Sequence, residues 1–317
     1  MMVCPHCRFE SGRDVPLTSH CQCLTCGTNY PVVDGIPILF RDPELRTQVL
    51  HQTEADPRTA FYQTEDQYLR EDVPGEEAIK YGIEKSAAPG LVLEIGTGSG
   101  AFAGIGDEDY CGLDFSLTHL RSNLKGYRRI CATAELIPLA SSSCRVVFSV
   151  ATLEHVPRPD LAFAEIDRVL KPGGVAVLLP AWHCRWWAAD GLPVRSYREL
   201  SWRMKIQKAV IPVCDSKIFR ALGSIPWRAW RRGEFVLANR PTTLWWKPLR
   251  ANYEKFWMSD SDACAYIDSH EAILYFESRG YEIVAPARDG FKRIFHRAGA
   301  VTVQKPARSE RNANATN

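Results

Sequence analysis

The chain has 317 residues, of which 45% are hydrophobic and 24% are charged, a balance typical of a soluble globular protein of about two domains. No stretch approaches the roughly 20 uncharged apolar residues of a membrane span, and the N-terminus contains no apolar signal-peptide core. We therefore expect a cytoplasmic protein without a transmembrane segment.

Paired cysteines mark the first predicted unit, residues 1–42. Cys4 and Cys7 form one Cys-x-x-Cys pair, and Cys23 and Cys26 form a second. Four thiolates from two such pairs can surround Zn²⁺ tetrahedrally, and a closed set of four is structural rather than catalytic. The odd total of 11 cysteines also favours reduced thiols over disulfides. The rival ligands are Cys21, His6 and His20.

Residues 43–90 are predicted to be a connector followed by one helix, which ends before Pro89-Gly90. Residues 91–180 then alternate helix-like stretches with five short apolar strands. The strands are LVLEIG, YCGLDFS, RRICA, RVVFSVA and VAVLLPA. Continuous apolar runs of this length are typical of parallel strands that are buried on both faces.

The C-terminal part is predicted to complete the same sheet. A helix over about 264–279 is followed by the strands YEIVAPA and AGAVTVQK, which are close enough to pair as an antiparallel hairpin. Earlier in the chain, between the fourth and fifth strands, the stretch DLAFAEIDRVLKPGG predicts a helix that ends at Gly173-Gly174. The predicted fold class is therefore α/β, a doubly wound and mostly parallel seven-stranded sheet with an antiparallel C-terminal hairpin. Its domain would comprise residues 91–180 and 261–305, followed by a disordered tail over 306–317.

Residues 181–260 are predicted to be a basic, helical insertion that covers the substrate. Between 181 and 250 there are 14 Lys or Arg residues against four acidic ones, and eight of the nine tryptophans. Tryptophan interleaved with Arg and Lys suits a phosphorylated glycan, RNA or the surface of an anionic membrane. The simpler interpretation is that the tryptophans pack the insertion against the main domain.

A glycine-rich turn follows the first strand of the main domain. Gly96, Gly98 and Gly100 permit a tight turn, and Asp114 at the end of the next strand can accept ribose hydroxyls. The spacing is G-x-G-x-G rather than the G-x-G-x-x-G of nicotinamide dinucleotide sites. Glu94 would also repel a pyrophosphate but can pair with an ammonium group. These features favour S-adenosylmethionine over a dinucleotide.

Four ordered segments make residues 79–180 resemble class I S-adenosylmethionine-dependent methyltransferases. They are EIGTGSG, GLDFS, ATAELIPLASSSCRVVFSVATLEHV and AEIDRVLKPGGVAVLLP. The resemblance implies that Glu94 and the glycines hold the methionine end of the cofactor and Asp114 its ribose. It places Phe115 on the adenine face and Thr133, Ala134 and Glu135 at the adenine edge. The family usually has Asp where this chain has Thr133.

A second resemblance covers residues 2–40. CLTCGTNYPVVDGIPILF is similar to the small zinc-ribbon family that includes activator subunits of tRNA and release-factor methyltransferases. In that family the activator is a separate chain. The resemblance implies here an internal stabilising or substrate-docking module.

Glu154 and His155 follow the fourth strand, at the carboxyl edge of the sheet, and are the predicted catalytic residues. Methyl transfer to a hydroxyl requires orientation of the acceptor and removal of its proton, and a histidine at this edge can be the general base. The alternative is that both residues cap or pack the turn. Four lesser candidates border the insertion, namely His183, Tyr253, Asp260 and Asp262.

The predicted function is O-methylation of a glycan, a lipid-linked sugar or a related metabolite. Residues 252–282 resemble enzymes associated with bacterial surface-polysaccharide biosynthesis. The alternative is an RNA methyltransferase acting on rRNA or tRNA, since a zinc ribbon also precedes ribosomal-RNA guanine methyltransferase domains. A non-catalytic binding subunit with the same fold is a third hypothesis.

Overall fold

The computed structural model describes residues 1–51, 57–63, 74–86, 88–238, 240–286 and 290–307. The helices in these ranges are α1 Pro5–Ser11, α2 Pro43–His51, α3 Pro57–Tyr62, α4 Glu76–Lys85, α5 Leu117–Asn123, α6 Pro159–Val169, α7 Trp202–Asp215, α8 Lys217–Ala238 and α9 Ser269–Glu277. The strands are β1 Val32–Val33, β2 Ile36–Pro37, β3 Leu91–Ile95, β4 Tyr110–Asp114, β5 Arg128–Cys131, β6 Cys144–Val150, β7 Leu170–Leu179, β8 Trp246–Pro248, β9 Ala265–Ile267, β10 Glu282–Ala285 and β11 Val301–Gln304.

The central sheet has seven strands in the order β10-β11-β7-β6-β3-β4-β5. Strands β3 to β7 are mutually parallel, β11 is antiparallel to β7, and β10 is antiparallel to β11. The predicted fold class is therefore confirmed. Every residue of β4 is buried, because helices and the N-terminal unit cover both faces of the sheet.

Helix α4 lies directly on the sheet beside β7. Gly82 permits this close approach, since a Cβ atom at this position would lie 2.5 Å from Val177 Cγ2. Ile79 on the same helix is fully buried. The helix therefore contributes to the main core, although its sequence is mostly polar.

The N-terminal unit docks against the edge of the sheet that β5 forms. Ile38 forms a parallel bridge with Cys131 of β5, and the Leu39 amide donates to the Cys131 carbonyl at 2.8 Å. Asp14 accepts a hydrogen bond from the Ser141 amide at 2.6 Å. The cysteine-bearing residues thus share a continuous core with the sheet.

Two predicted element boundaries were wrong. Residues 265–267, predicted to start a helix, form β9, which pairs with β8 inside the insertion. The helix starts only after Asp268, whose carboxylate accepts a hydrogen bond from the His270 amide and caps it. The earlier helix ends at Val169 rather than at the glycines, because residues 170–179 pair with β6 and Gly173 adopts a φ of +76° within β7.

Parts of four predicted units lie outside the described residues. They are the tail from residue 308 onward, residues 52–56, 64–73 and 87 of the connector, residue 239 of the insertion and residues 287–289 of the C-terminal part. Among the helices that are described, none has both the length and the hydropathy needed to cross a bilayer.

Candidate functional site

A cavity of about 440 Å³ opens at the carboxyl ends of β3, β4 and β6. Parallel strands end at one edge of a sheet, and ligands of open α/β sheets bind there. The predicted residues that line the cavity are Glu94, Gly96, Gly98, Asp114, Phe115, Thr133, Ala134, Glu135, Glu154 and His155. Gly100 is not among the lining residues.

The glycine-rich turn closes on itself and against the neighbouring loop. Gly96 has a φ of +79°, and a Cβ atom on it would lie 2.1 Å from Thr152 Oγ1. Gly100 also has a positive φ, and its amide donates to the Thr97 carbonyl at 2.7 Å. These positions require glycine for backbone and packing reasons.

Asp114 connects the turn to the second strand. Its Oδ2 accepts hydrogen bonds from the Gly98 amide at 2.9 Å and from Thr97 Oγ1 at 3.2 Å. Its Oδ1 accepts one from the Ser116 amide at 2.7 Å. The carboxylate is therefore held in place, and its oxygens retain acceptor capacity toward the cavity.

Glu94 is a buried carboxyl group in the wall of the cavity, only 2% exposed. The Tyr110 hydroxyl donates a hydrogen bond to Glu94 Oε2. Burial raises the pKa of Glu94 to about 8, and the nearby charge of Asp114 contributes to the rise. A cationic ligand beside Glu94 would stabilise its ionised form.

Phe115 supplies an aromatic ring to the lining of the same cavity. The Phe115 ring packs edge-on against Phe40 with centroids 5.4 Å apart, and the Arg58 guanidinium lies 4.9 Å from its centroid. Glu135 accepts a hydrogen bond from the Arg158 amide, and burial raises its pKa. The chemistry of this donor set, an apolar ring beside polar edges and two carboxylates, fits an adenosine group joined to an ammonium-bearing chain.

His155 lies among carboxylates beside the same cavity. Its Nδ1 lies 3.1 Å from Asp262 Oδ2, and its Nε2 lies 3.7 Å from Glu154 Oε1. Burial alone would lower the pKa of His155, but the interaction with Asp262 and the neighbouring negative charges raise it to about 9. Asp260 also lies within the cluster. His155 is therefore a strongly basic imidazole.

Glu154 is completely buried between two segments of the chain. Its Oε1 accepts the Ala181 amide at 2.9 Å, and its backbone carbonyl accepts the Cys264 amide at 2.9 Å. Burial raises the pKa of its carboxyl group. Glu154 thus links the loop after β6 to both ends of the insertion.

Two lesser candidates and two residues that were not predicted lie close to the predicted catalytic residues or to Phe115. Asp260 and Asp262, named as lesser candidates, both line the cavity, whereas Arg58 and Tyr62 were missed. Tyr62 donates to Asp262 Oδ2 at 3.0 Å. Arg58 and Tyr62 lie on α3 in the polar connector, where no periodicity or motif distinguishes them.

The other two lesser candidates lie outside the cavity lining. His183 contacts the Tyr266 hydroxyl at 3.0 Å, and burial lowers its pKa to about 4. Tyr253 packs against Phe61 and Tyr62. None of the eight tryptophans of the insertion lines the cavity.

The four predicted metal ligands converge in the N-terminal unit. The Sγ atoms of Cys4, Cys7, Cys23 and Cys26 all lie within 4.8 Å of one another. Cys4 and Cys26 are 3.6 Å apart, as are Cys7 and Cys23, and none forms a disulfide. Zinc–sulfur bonds of about 2.3 Å in a tetrahedron place sulfurs roughly 3.8 Å apart, so the set fits zinc. Cys21 lies outside it.

Part of this site lies in a segment that matches a known protein family. Residues 93–178 match the methyltransferase domain family. This methyltransferase domain runs from β3 into β7, so it includes the glycine-rich turn, Asp114 and His155. It ends before the insertion and before Asp262.

One curated relative is a malonyl-[acyl-carrier protein] O-methyltransferase from Marinomonas sp. (strain MWYL1). It is 38% identical over 98 residues, which cover 27% of this chain and 36% of the relative. The chain thus spans about a third of the length of the curated relative that it matches.

The chain is also similar to solved methyltransferase structures. A putative methyltransferase from Bacillus halodurans is 12% identical, with 73% of this chain and 99% of that chain covered and a TM-score of 0.37. A sugar N-methyltransferase from Streptoalloteichus sp. is 18% identical, with 36% of this chain and 50% of that chain covered and a TM-score of 0.32.

Proposed function

We propose that this chain is an S-adenosylmethionine-dependent O-methyltransferase that acts on a glycan, a lipid-linked sugar or a related metabolite. The observation that carries the proposal is that the basic imidazole of His155 and the carboxyl group of Glu94 line one cavity. A group that takes a hydroxyl proton thus lies beside residues suited to an ammonium-bearing cofactor. The match of residues 93–178 to the methyltransferase domain supports this assignment.

The cofactor half of the cavity is assigned to the residues of β3, β4 and the loop after β5. In this proposal Glu94 pairs with the ammonium group, and Asp114 accepts the ribose hydroxyls. Phe115 packs on the adenine, and residues 133–135 contact its edge. Gly96, Gly98 and Gly100 shape the turn so that its backbone can approach the ligand. Bound S-adenosylmethionine supplies a methyl group activated by its sulfonium.

The acceptor half of the cavity is assigned to His155 and its neighbours. Neutral His155 would take the proton of the acceptor hydroxyl as that oxygen is methylated, and Asp262 would stabilise the imidazolium that forms. Glu154 adds negative charge near Nε2 and holds the loop in position. Asp260 and Phe256 of the insertion line the same cavity, so the 181–260 segment contributes to acceptor selection.

The N-terminal unit is assigned a structural zinc ion held by Cys4, Cys7, Cys23 and Cys26. A closed set of four thiolates leaves no position for a substrate, so the metal would hold the fold. Because this unit bonds to residues 131–141 of the main domain, zinc would also stabilise the edge of the sheet next to the cavity.

The alternative of RNA methylation gains less support from the arrangement of charge. Arg228, Arg231 and Arg232, part of the basic excess of the insertion, form ion pairs with carboxylates of the same chain. Guanidinium groups used in this way are not available to phosphates. The positive charge of the sequence therefore overstates what the surface offers to RNA.

The experiment is transfer of a labelled methyl group from S-adenosylmethionine to a cell extract separated into RNA, lipid and polysaccharide. We expect label in the lipid or polysaccharide fraction, and a fall of about 10²–10⁴-fold for His155→Asn because the base is removed. Calorimetry should show that this variant still binds the cofactor. Label confined to RNA would establish the alternative, and absence of cofactor binding by the wild-type chain would refute methyltransferase activity.

A further inference from the structure

Helix α8 of the insertion is oriented with its arginines toward the protein. Arg228 is fully buried, and its Nη2 lies 2.7 Å from Asp268 Oδ1. Arg231 and Arg232, both 8% exposed, pair with acidic residues of α9 at 2.9 and 2.8 Å. These ion pairs determine which side of α8 faces the solvent.

The opposite side of α8 is apolar and exposed. At about 100° per residue, its members fall within an arc of roughly 120° whose centre lies about 140° from Arg228. The exposed fractions reach 70% at Leu222, 70% at Trp230 and 88% at Leu237. The remaining large apolar residues of this face are Ile218, Phe219 and Val236. The helix is thus amphipathic, but its arginines face the protein and its apolar side chains face the solvent, which is the reverse of an ordinary surface helix.

Helix α7 presents a second exposed apolar stripe. Met204, Ile211 and Cys214 pack on a small buried cluster of the insertion, and no residue of the helix is itself buried. The stripe on its other side consists of Trp202, Ile206, Val210 and Val213, which are 45–68% exposed. We call these four residues and the six of α8 the α7–α8 surface.

This concentration of apolar side chains is specific to the insertion. Of the 23 large hydrophobic residues exposed in the described part of the chain, ten belong to the α7–α8 surface. Exposed apolar side chains that are scattered singly are normal, but ten of them on two successive helices mark a candidate interaction site. We therefore expect the α7–α8 surface to bind a partner.

The adjacent charges indicate which occupant fits. Arg203 and Lys205 flank the stripe of α7 on its two sides, and Lys217 begins α8. All three are exposed, and among the described residues no ion pair includes them. A second copy docked by twofold symmetry would bring like charges together. An anionic lipid surface satisfies both the apolar side chains and the cations.

We propose that the α7–α8 surface binds the interface of an anionic bilayer, with its apolar side chains among the acyl chains and Arg203, Lys205 and Lys217 at the headgroups. Trp202 and Trp230 suit the boundary between these layers, where tryptophan is enriched. The inference goes beyond the proposed function and does not depend on it, because lipid binding requires neither the cofactor nor His155.

Vesicle flotation of the full chain tests the proposal. We expect binding to vesicles of phosphatidylcholine with phosphatidylglycerol, weak binding to phosphatidylcholine alone, and weaker binding as salt rises. Leu222→Asp should reduce the apparent affinity at least about tenfold, because it loses apolar contact and adds a charge that anionic lipid repels. Leu161→Asp, an exposed position on α6, is the matched control and should bind like the wild type.

Two further variants keep the test decisive. Leu237→Asp, near the end of α8 and 88% exposed, replaces Leu222→Asp if the latter does not fold. Replacing Arg203, Lys205 and Lys217 with Gln should abolish the preference for the anionic lipid. The proposal is overturned if wild type does not float with anionic vesicles or if the Asp variants bind as it does. If the wild type does not bind lipid and light scattering shows a dimer that Leu222→Asp dissociates, the surface is instead an interface with a second copy of the chain.

Discussion

His155 Nδ1 lies 3.1 Å from Asp262 Oδ2, although the whole insertion separates the two residues in the sequence. Because the Asp262 carboxylate stabilises the protonated imidazole, the contact outweighs the effect of burial and raises the pKa of His155. At neutral pH the imidazole is therefore mainly protonated, and only the neutral fraction can accept a proton. A rate that depends on this base should rise with pH up to about 9.

Replacing Asp262 with Asn should lower the pKa of His155 by at least about one unit, since the opposite charge is removed and the burial remains. A histidine titration followed by NMR, with His155→Asn to assign the resonance, measures this directly. Tyr62→Phe is the matched control, because it removes a hydrogen bond to Asp262 and leaves the charge in place. An unchanged pKa in Asp262→Asn would contradict the assignment of this pair.

Binding of S-adenosylmethionine should be linked to ionisation of Glu94. Burial raises the pKa of Glu94 to about 8, so below this pH the group is mostly protonated and must lose its proton to pair with an ammonium. The affinity should therefore increase by up to about tenfold between pH 6 and pH 7. Calorimetry at the two pH values measures the change, and proton release should appear as a dependence on buffer ionisation enthalpy.

Glu94→Gln is the control for that linkage, since the amide cannot ionise. It should bind the cofactor more weakly and show little change of affinity over the same pH interval. A variant that keeps the pH dependence of the wild type would assign the titration to another group.

Purified protein should contain about one zinc ion per chain. Cys23→Ser should lose most of it, because a closed tetrahedral site needs all four thiolates. Cys21→Ser is the matched control, since Cys21 is buried in the same unit but lies outside the four-cysteine cluster. Metal analysis by mass spectrometry gives the result, and full retention of zinc in Cys23→Ser would refute the site.

Arg228→Met should lower the free energy of unfolding by about 3–5 kcal/mol, because it leaves Asp268 buried without its cation. The matched control is Arg203→Met, at an exposed arginine in the same insertion, which should change stability by less than about 0.5 kcal/mol. Urea denaturation measures both. Equal stability of the two variants would show that the Arg228–Asp268 pair does not anchor α8.

Much of the cofactor half of the site could be predicted because its signals are local. The glycine-rich turn follows its strand directly, and Glu94 and Asp114 lie on adjacent strands whose apolar runs predict burial. Parallel strands then bring these residues to one edge without further information. The acceptor half was predicted less completely, because Tyr62 and Asp262 approach His155 from distant segments without a motif.

The insertion shows the same limit in its charges. Its arginines and tryptophans predicted a basic helical segment suited to an anionic ligand, whereas α8 buries Arg228 against Asp268 and exposes Leu222. Helical periodicity identifies two faces of such a segment but not which of them is covered. The acidic residues on α9 decide which face of α8 is covered. Their position depends on how the chain folds back to place α9 beside α8.

The sequence by itself determined which segments form the parallel strands and the C-terminal hairpin, the turn and carboxylates of the cofactor half, and the two cysteine pairs, because each depends on residues close together along the chain. Only the tertiary structure decided the partners of His155, the orientation of α8 and the boundary of β9. Each of these depends on which distant group pairs with a buried charge or a backbone amide. The spacing of residues within one segment does not indicate that partner.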